Sequence, residues 1–186
     1  MKAVLVSSLR AISVLALGVC LPLAASAEDC ILSVSQPVVD FGQTQRAQLM
    51  EGTREGKRLL VGTRVVSLNL SCSASAAVAL SFNGERAGDQ GYRFAQDGIF
   101  TLRVLSAQLD GKPVSLMVRD GEGAAKDSDN LLRPGVSLVP GLQSMIARGT
   151  TFSAQVEVKT YVDERDTQAR SREQWDGGGH FAVDTF

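Results

Sequence analysis

The cysteines are the residues of this sequence with the most definite chemistry. Cys20 lies in an N-terminal segment that we interpret as an export signal, which leaves Cys30 and Cys72 in the mature chain. An isolated pair of thiols in an oxidising compartment is expected to form a disulfide. This bond would close a loop of 42 residues and would constrain the unfolded chain by about 4 kcal/mol. A metal site made of two cysteines and one distant histidine is a poor alternative, so we predict a disulfide.

Catalytic motifs are weak in the rest of the sequence. His180, the only histidine, follows three glycines, and no nucleophile or orienting carboxylate accompanies it in a recognisable pattern. The run 127–130 (DSDN) places oxygen atoms at alternate positions but lacks the glycine and the distal glutamate of a calcium-binding loop. The segment 177–180 (GGGH) lacks the strand-then-helix context of a phosphate-binding loop. We therefore predict a protein that is not an enzyme and has no metal and no cofactor.

The first 27 residues have the pattern of a secretory signal peptide. Lys2 and Arg10 supply the positive charge before the apolar stretch 11–23, and the small residues of 25–27 (ASA) are suitable for cleavage. A lipoprotein cut before Cys20 is a rival, but Val19 stands where a small residue is wanted. The remaining residues 28–186 hold 17 basic against 20 acidic side chains, a net charge of −3. This balance argues against nucleic acid or anionic lipid as the main partner.

The elements that must position the two cysteines have the pattern of β-strands. In the segment 62–72 (GTRVVSLNLSC) apolar and polar residues alternate, and Cys72 shares the apolar face, as in a half-buried strand. The segment 77–82 (AVALSF) continues this alternation up to an Asn-Gly turn signal. A first strand over 31–39 would contain Pro37, which favours an edge or a bulge.

The sequence as a whole predicts an all-β fold. No segment keeps a helical period for three turns, although a short helix over 46–51 is compatible with the pattern. Further strands are expected over 92–95, 99–109, 112–118, 136–142 and 151–162, with a polar loop at 120–130 and a charged segment at 163–179. About seven strands over about 150 residues are typical of an immunoglobulin-like β-sandwich. We predict one such domain over 28–186, with a C-terminal extension at about 163–186.

The order of these features resembles the subunits of chaperone–usher pili. A signal peptide is followed by Cys30 and the segment 39–42 (VDFG), and then by a second cysteine at the end of a strong strand. Later in the chain, Gly149 begins an alternating strand that reaches Tyr161 twelve residues on. The resemblance covers the whole mature chain in outline. It implies that the disulfide joins the first two strands and that the immunoglobulin-like fold is incomplete, lacking its final strand.

The same resemblance implies an open hydrophobic groove where the final strand is missing. A periplasmic chaperone would fill it first and a strand donated by a neighbouring subunit would fill it later, which is a form of β-augmentation. Left open, such an edge would favour aggregation. The predicted groove residues are Gly149, Phe152, Ala154, Val156, Val158 and Tyr161. The alternative is that the apolar members of this set are ordinary core residues.

The resemblance also implies a location and a set of partners. We expect an exported protein that passes through the periplasm to a fimbrium on the cell surface, with a role in adhesion. Its expected partners are a periplasmic chaperone, an outer-membrane usher and a neighbouring subunit, with a host-surface receptor as a further candidate. Only Glu28 and Asp29 precede Cys30 after the predicted cleavage, so such a subunit could receive a strand but not donate one. This predicts a minor or tip position.

The C-terminal part of the sequence departs from the pattern of that family. Tyr161 is odd-numbered, whereas the apolar residues of 152–158 that form the predicted groove face are even-numbered, so a bulge near Lys159 would be required to bring it onto their face. In addition, 25 residues follow Tyr161. The segment 180–186 (HFAVDTF) alternates and could form an extra strand. A second hypothesis is therefore a self-contained periplasmic β-sandwich that binds a small molecule or sugar, in which this strand completes the sheet.

Overall fold

Strands dominate the architecture and one of them is very long. A computed structural model describes residues 30–119, 125–168 and 174–186, so the predicted export signal lies outside the described residues. The elements are, in chain order, β1 (Cys30–Val34), α1 (Arg46–Glu51), β2 (Arg54–Glu55), β3 (Arg58–Gly84), β4 (Tyr92–Phe94), β5 (Gly98–Leu109), β6 (Lys112–Pro113), β7 (Ser115–Arg119), β8 (Ala125–Asp127), β9 (Ser137–Leu142), β10 (Met145–Ile146), β11 (Arg148–Asp163), a 3-10 helix (Glu164–Gln168) and β12 (Gly179–Thr185). Within the described ranges, no helix has the length and apolarity needed to cross a membrane.

The long strand β3 turns back on itself around the core. The ring of Phe82 lies 5.8 Å from that of Phe100. Phe100 pairs with Thr160 of β11, which in turn pairs with Gly62 in β3 itself. Gly62 and Phe82 are twenty residues apart, and a straight strand of that length would span about 66 Å. Because both residues lie near Phe100, β3 must bend strongly between them. The small residues 73–76 (SASA) separate its two halves.

The two halves of β3 belong to two packed layers. In layer A, the first half of β3 pairs with β1 and β2 on one edge and with β11 on the other, and β5 and β4 follow β11. In layer B, the second half pairs with β12 on one edge and meets β9 on the other, followed by β7 and β8. All of these pairings are antiparallel. The predicted all-β, sandwich-like fold is confirmed.

The core lies between the layers and follows the alternation of the strands. Even-numbered residues of both halves of β3 point into it, together with alternate residues of β5 and β11. Its most buried members include Leu68, Leu80, Val104, Leu138 and Val156, each no more than 2% exposed. Period-two alternation in a strand places such residues on one face, which is why the sequence pattern of β3 continues through its bend.

On one lateral side of the sandwich a crossing segment bonds to β5. Leu132, which is 1% exposed, donates its backbone N–H to Leu102 of β5 at 2.9 Å, and Asn130 accepts a bond from Val104 at 2.8 Å. The chain at 130–132 therefore runs along part of the outer edge of β5, and a depression remains beside it between β5 and β7.

Helix α1 covers the outer surface of layer A near the end of β11. Its Leu49 packs against Leu59 and Val162 in a small second cluster, with Trp175 at its margin. Gln45 caps the N-terminus of the helix together with Gln48: the backbone N–H of Gln45 donates to Oε1 of Gln48 at 3.2 Å. The short helix expected over 46–51 is confirmed.

Several expected boundaries differ from the structure. Twelve strands are present in the described residues rather than about seven. Several of them are pairing segments of two or three residues, which carry no sequence signal, whereas the segments 62–72 and 77–82, which the sequence predicts as strands, both belong to β3. The first strand ends at Val34 and does not extend over Pro37, which has no N–H to donate to a ladder. The expected polar loop 120–130 contains strand β8, whereas its residues 120–124 lie outside the described ranges.

Candidate functional site

The disulfide is where the sequence predicted it. Cys30 and Cys72 lie opposite each other in the pairing of β1 with β3, with their sulfur atoms 2.06 Å apart and their Cα atoms 4.0 Å apart. The bond joins the first two long strands and packs against the core. It fixes β1 to the edge of β3 that lies opposite β11.

The predicted groove residues lie inside layer A. Phe152, Ala154, Val156 and Val158 belong to the core and are at most 8% exposed. Their strand, β11, pairs with β3 on one edge from Thr151 onwards and with β5 on its other edge over the same stretch. A strand with both edges occupied cannot accept a third. The expectation that β11 borders an open groove is therefore corrected, and the alternative that its apolar residues are core residues agrees with the structure.

The ends of β11 explain why Gly149 and Tyr161 stand where they do. A Cβ on Gly149 would lie 2.7 Å from Cγ of Leu109, so only glycine permits this close approach. At the other end, the register shift between Thr160 and Tyr161 leaves the extra residue, Val61, on β3. Strand β11 itself pairs regularly with β5 there, so the bulge of β11 that would bring Tyr161 onto the face of Val156 and Val158 is absent, and the alignment that the resemblance implies for Tyr161 is corrected. The side chain of Tyr161 is nevertheless buried, and this burial raises the pKa of its hydroxyl.

The second lateral side of the sandwich differs from the first. At Ala77, β11 pairs with one edge of β3, and the backbone of Phe186 bonds to the other edge, at 3.3 and 3.1 Å. The strands β12 and β1 therefore follow one another along the same edge of β3. Because β3 bends back around the core, β1 ends layer A and β12 ends layer B on the same side of the molecule. We call this the lateral seam.

Apolar side chains of the lateral seam are only partly covered. Leu32 and Val34 of β1 and Phe181 and Val183 of β12 all pack against the core, yet each remains half-buried. Among the residues that the structure describes, β1 and β12 pair with β3 alone, so each presents one free edge of backbone N–H and C=O groups. Val39, which follows β1 in the chain, also packs against the core and is half-buried.

Strand β12 is fixed to the rest of the protein by an aromatic contact in its middle and by two contacts of the C-terminal residue that follows it. The ring of Phe181 meets that of Phe82 edge-on, with centroids 5.0 Å apart. The backbone oxygen of Phe186 accepts a bond from Nη1 of Arg148 at 2.8 Å, and its ring lies under the guanidinium of Arg119 at 3.9 Å. Residues 179–185 pair with seven successive residues of β3, so the predicted C-terminal extension contains an integral strand of layer B.

An aromatic cluster ties the lateral seam to the core. Phe82 also contacts Tyr92 edge-on, with centroids 4.7 Å apart, and Tyr92 stacks on Phe100 at 5.4 Å. The hydroxyl of Tyr92 donates to the backbone oxygen of Phe82 at 3.0 Å. Burial raises the pKa of this tyrosine to about 12, so it stays a neutral donor at physiological pH.

The other polar candidates of the sequence lie on different elements. His180 is exposed on β12, opposite Asn83. Asp127 belongs to β8, and Asp129 pairs with Arg133. In the described ranges, no group of three histidine, cysteine or acidic residues is arranged to hold a metal ion.

Sequence reasoning missed which strand lies at an open edge. The alternation of 180–186 was visible, but alternation reports which face is buried and not how many neighbours a strand has. The bonds of 130–132 to β5 are not visible in the sequence either, because the pattern predicts the end of a loop at 130 and no element at 131–135. A signal that could have helped is the glycine run before β12, which separates it from the charged segment.

The fold and the disulfide define a disulfide-bonded, all-β, sandwich-like protein. Residues 11–128 match the family described as a protein of unknown function (DUF1120). The match covers more than half of the chain, and the chain belongs to this family. A comparison with curated protein sequences finds no match.

Proposed function

We propose that this protein is a non-enzymatic fimbrial subunit of the chaperone–usher type, which receives a β-strand from a partner at the lateral seam. One observation carries the proposal: both layers end on the same side in strands that pair only with β3 among the described residues, over half-buried core side chains. On the opposite side the segment 130–132 bonds to part of the outer edge of β5, and a depression lies beside it between β5 and β7.

The physical argument concerns what such a seam attracts. Free N–H and C=O groups at an edge can extend the sheet with another strand, and the pairing supplies affinity while alternate side-chain pockets supply specificity. An incoming strand with apolar residues at alternate positions would pair with β12 and cover Phe181 and Val183. On the other layer it would cover Leu32 and Val34. The chaperone, the neighbouring subunit and the export route of the sequence prediction all belong to this proposal, as does the minor or tip position.

Co-expression with a fimbrial chaperone in the periplasm tests the proposal. We expect the two proteins to purify as a complex. Replacing Val183 by aspartate should prevent capture, because it places a charge where the incoming strand would bury it. Leu105, which is 48% exposed and lies on β5 at the opposite side of layer A, is the control: Leu105→Asp should leave capture unchanged. Equal capture of both variants would contradict the assignment of the lateral seam.

The second candidate is the self-contained sandwich that binds a small molecule or sugar. The observation that favours it is β12 itself, which pairs with β3 over seven residues and so supplies the completing strand that this hypothesis expects. The two candidates differ in what happens without a chaperone. A stable, monodisperse monomer recovered from the periplasm favours the self-contained domain, whereas degradation or aggregation that the chaperone relieves favours the fimbrial subunit.

A further inference from the structure

A second feature of the molecule involves the chain segment that precedes β12. Three segments surround an open depression of about 590 Å³, a size within the range of about 300–1,000 Å³ typical of small-molecule sites. They are the turn between β4 and β5, the 3-10 helix and the chain just before β12. The side chains that matter are Gln96, Asp97, Arg165, Asp166, Trp175 and Asp176. We call this depression the polar basin.

Hydrogen bonds hold the three segments of the polar basin together. The backbone N–H of Ala95 donates to the backbone oxygen of Asp176 at 2.9 Å, and that of Asp97 donates to Oδ2 of Asp166 at 3.2 Å. Nη2 of Arg165 lies 3.3 Å from Oδ2 of Asp97. These bonds join each segment to the β4–β5 turn, so the walls are formed before any ligand arrives.

Trp175 adds an aromatic surface that is itself fixed. It is half-buried and packs against the second cluster, which contains Leu49, Leu59 and Val162. A tryptophan anchored on one side offers a rigid apolar surface and one N–H donor. Placed in the wall of a polar depression, it suits a ligand with both an apolar face and polar groups around it.

The polar side chains of the basin limit which class of ligand it can bind. Carboxylates only accept hydrogen bonds, guanidinium groups only donate, and the amide of Gln96 does both, so the polar basin can satisfy a ligand that carries many hydroxyls. Its three aspartates against one arginine repel an anion. The described residues arrange no group of acidic side chains suited to a metal ion. We propose that the polar basin binds an uncharged saccharide, whose C–H face lies against Trp175 and whose hydroxyls donate to Asp97, Asp166 and Asp176.

This proposal does not rest on the fimbrial assignment. The intrinsic fluorescence of the protein can be used to test it. Trp175 is the only tryptophan of the sequence, so its fluorescence reports on the polar basin alone. The purified, disulfide-bonded protein is titrated with glucose, galactose, mannose and N-acetylglucosamine. N-acetylneuraminic acid serves as the anionic comparison and spermidine as the cationic one. We expect a saturable change in fluorescence with at least one neutral sugar and none with the acid.

Two variants test the residues. Asp176→Ala keeps the backbone bond to Ala95 and should weaken the binding of that sugar about tenfold or more, the effect of losing a hydrogen bond to a charged group. Asp89→Ala, at an exposed position outside the basin, should leave the Kd unchanged. If Asp176→Ala does not fold, Gln96→Ala carries the test with the same expected direction. Saturation by spermidine alone, no response to any neutral sugar, or an unchanged Kd in the basin variant would overturn the proposal.

Discussion

Truncating one valine on β12 and one on β11 measures how open the lateral seam is. Val156 is 0% exposed and lies between Val66 and Val104 on the neighbouring strands, whereas Val183 is half-buried on the edge strand. Replacement by alanine removes the same two methyl groups from each. The two variants therefore differ only in the surroundings of the lost atoms.

The expected costs follow from those surroundings. At Val156 the lost transfer free energy and the cavity left in a packed core together cost about 2–3 kcal/mol. At Val183 solvent already reaches the side chain and can refill the space, so we expect about 1 kcal/mol or less. With a urea m-value of about 2 kcal/mol/M, the midpoint of unfolding should fall by about 1–1.5 M for Val156→Ala and by about 0.5 M or less for Val183→Ala.

Urea unfolding of the purified protein, followed by circular dichroism at several protein concentrations, gives both values. A shift for Val183→Ala as large as that for Val156→Ala would refute the openness of the lateral seam. It would mean that another part of the chain or a second copy covers β12, and a dependence on protein concentration would identify the second copy. In a complex with a strand donor, the cost at Val183 should rise towards that at Val156, because the donor then excludes solvent.

Two further predictions concern the disulfide and acid stability. Cys72→Ser should lower the free energy of unfolding by about 2–5 kcal/mol, measured in urea, and reductant should have a similar effect on the wild-type protein but none on the variant. Asp110 accepts bonds from the backbone N–H groups of Thr151 and Thr150, at 2.8 and 3.0 Å, which lower the pKa of its carboxyl. A lowered folded-state pKa stabilises the protein above the unfolded value of about 3.9 and ceases to do so as the pH falls through the folded value. Asp110→Asn should therefore be less stable than wild type at neutral pH, with a difference that shrinks below about pH 4; a constant difference across that range would contradict this account.

Local chemistry in the sequence was enough for several features. Cys30 and Cys72 are the only cysteines after the predicted signal, so their pairing needed no knowledge of the fold. The alternation along β3 identified the buried face of both halves, because side chains of a strand point to opposite faces with a period of two. The parity of Tyr161 put it on the face opposite to Val158, and the regular pairing of β11 with β5 from Val156 to Tyr161 keeps it there.

The neighbours of each strand were decided only by the tertiary structure. The apolar face of β11 looks the same in a central strand as in one beside an open groove, because burial of a face depends on the opposite layer and occupation of an edge depends on distant segments. The bend of β3 brings β1 and β12 to one side, and the segment 130–132 bonds to β5 on the other. Both are outcomes of pairing between residues far apart in the chain. A single sequence records the pattern of each strand but not which of its two edges another strand will occupy.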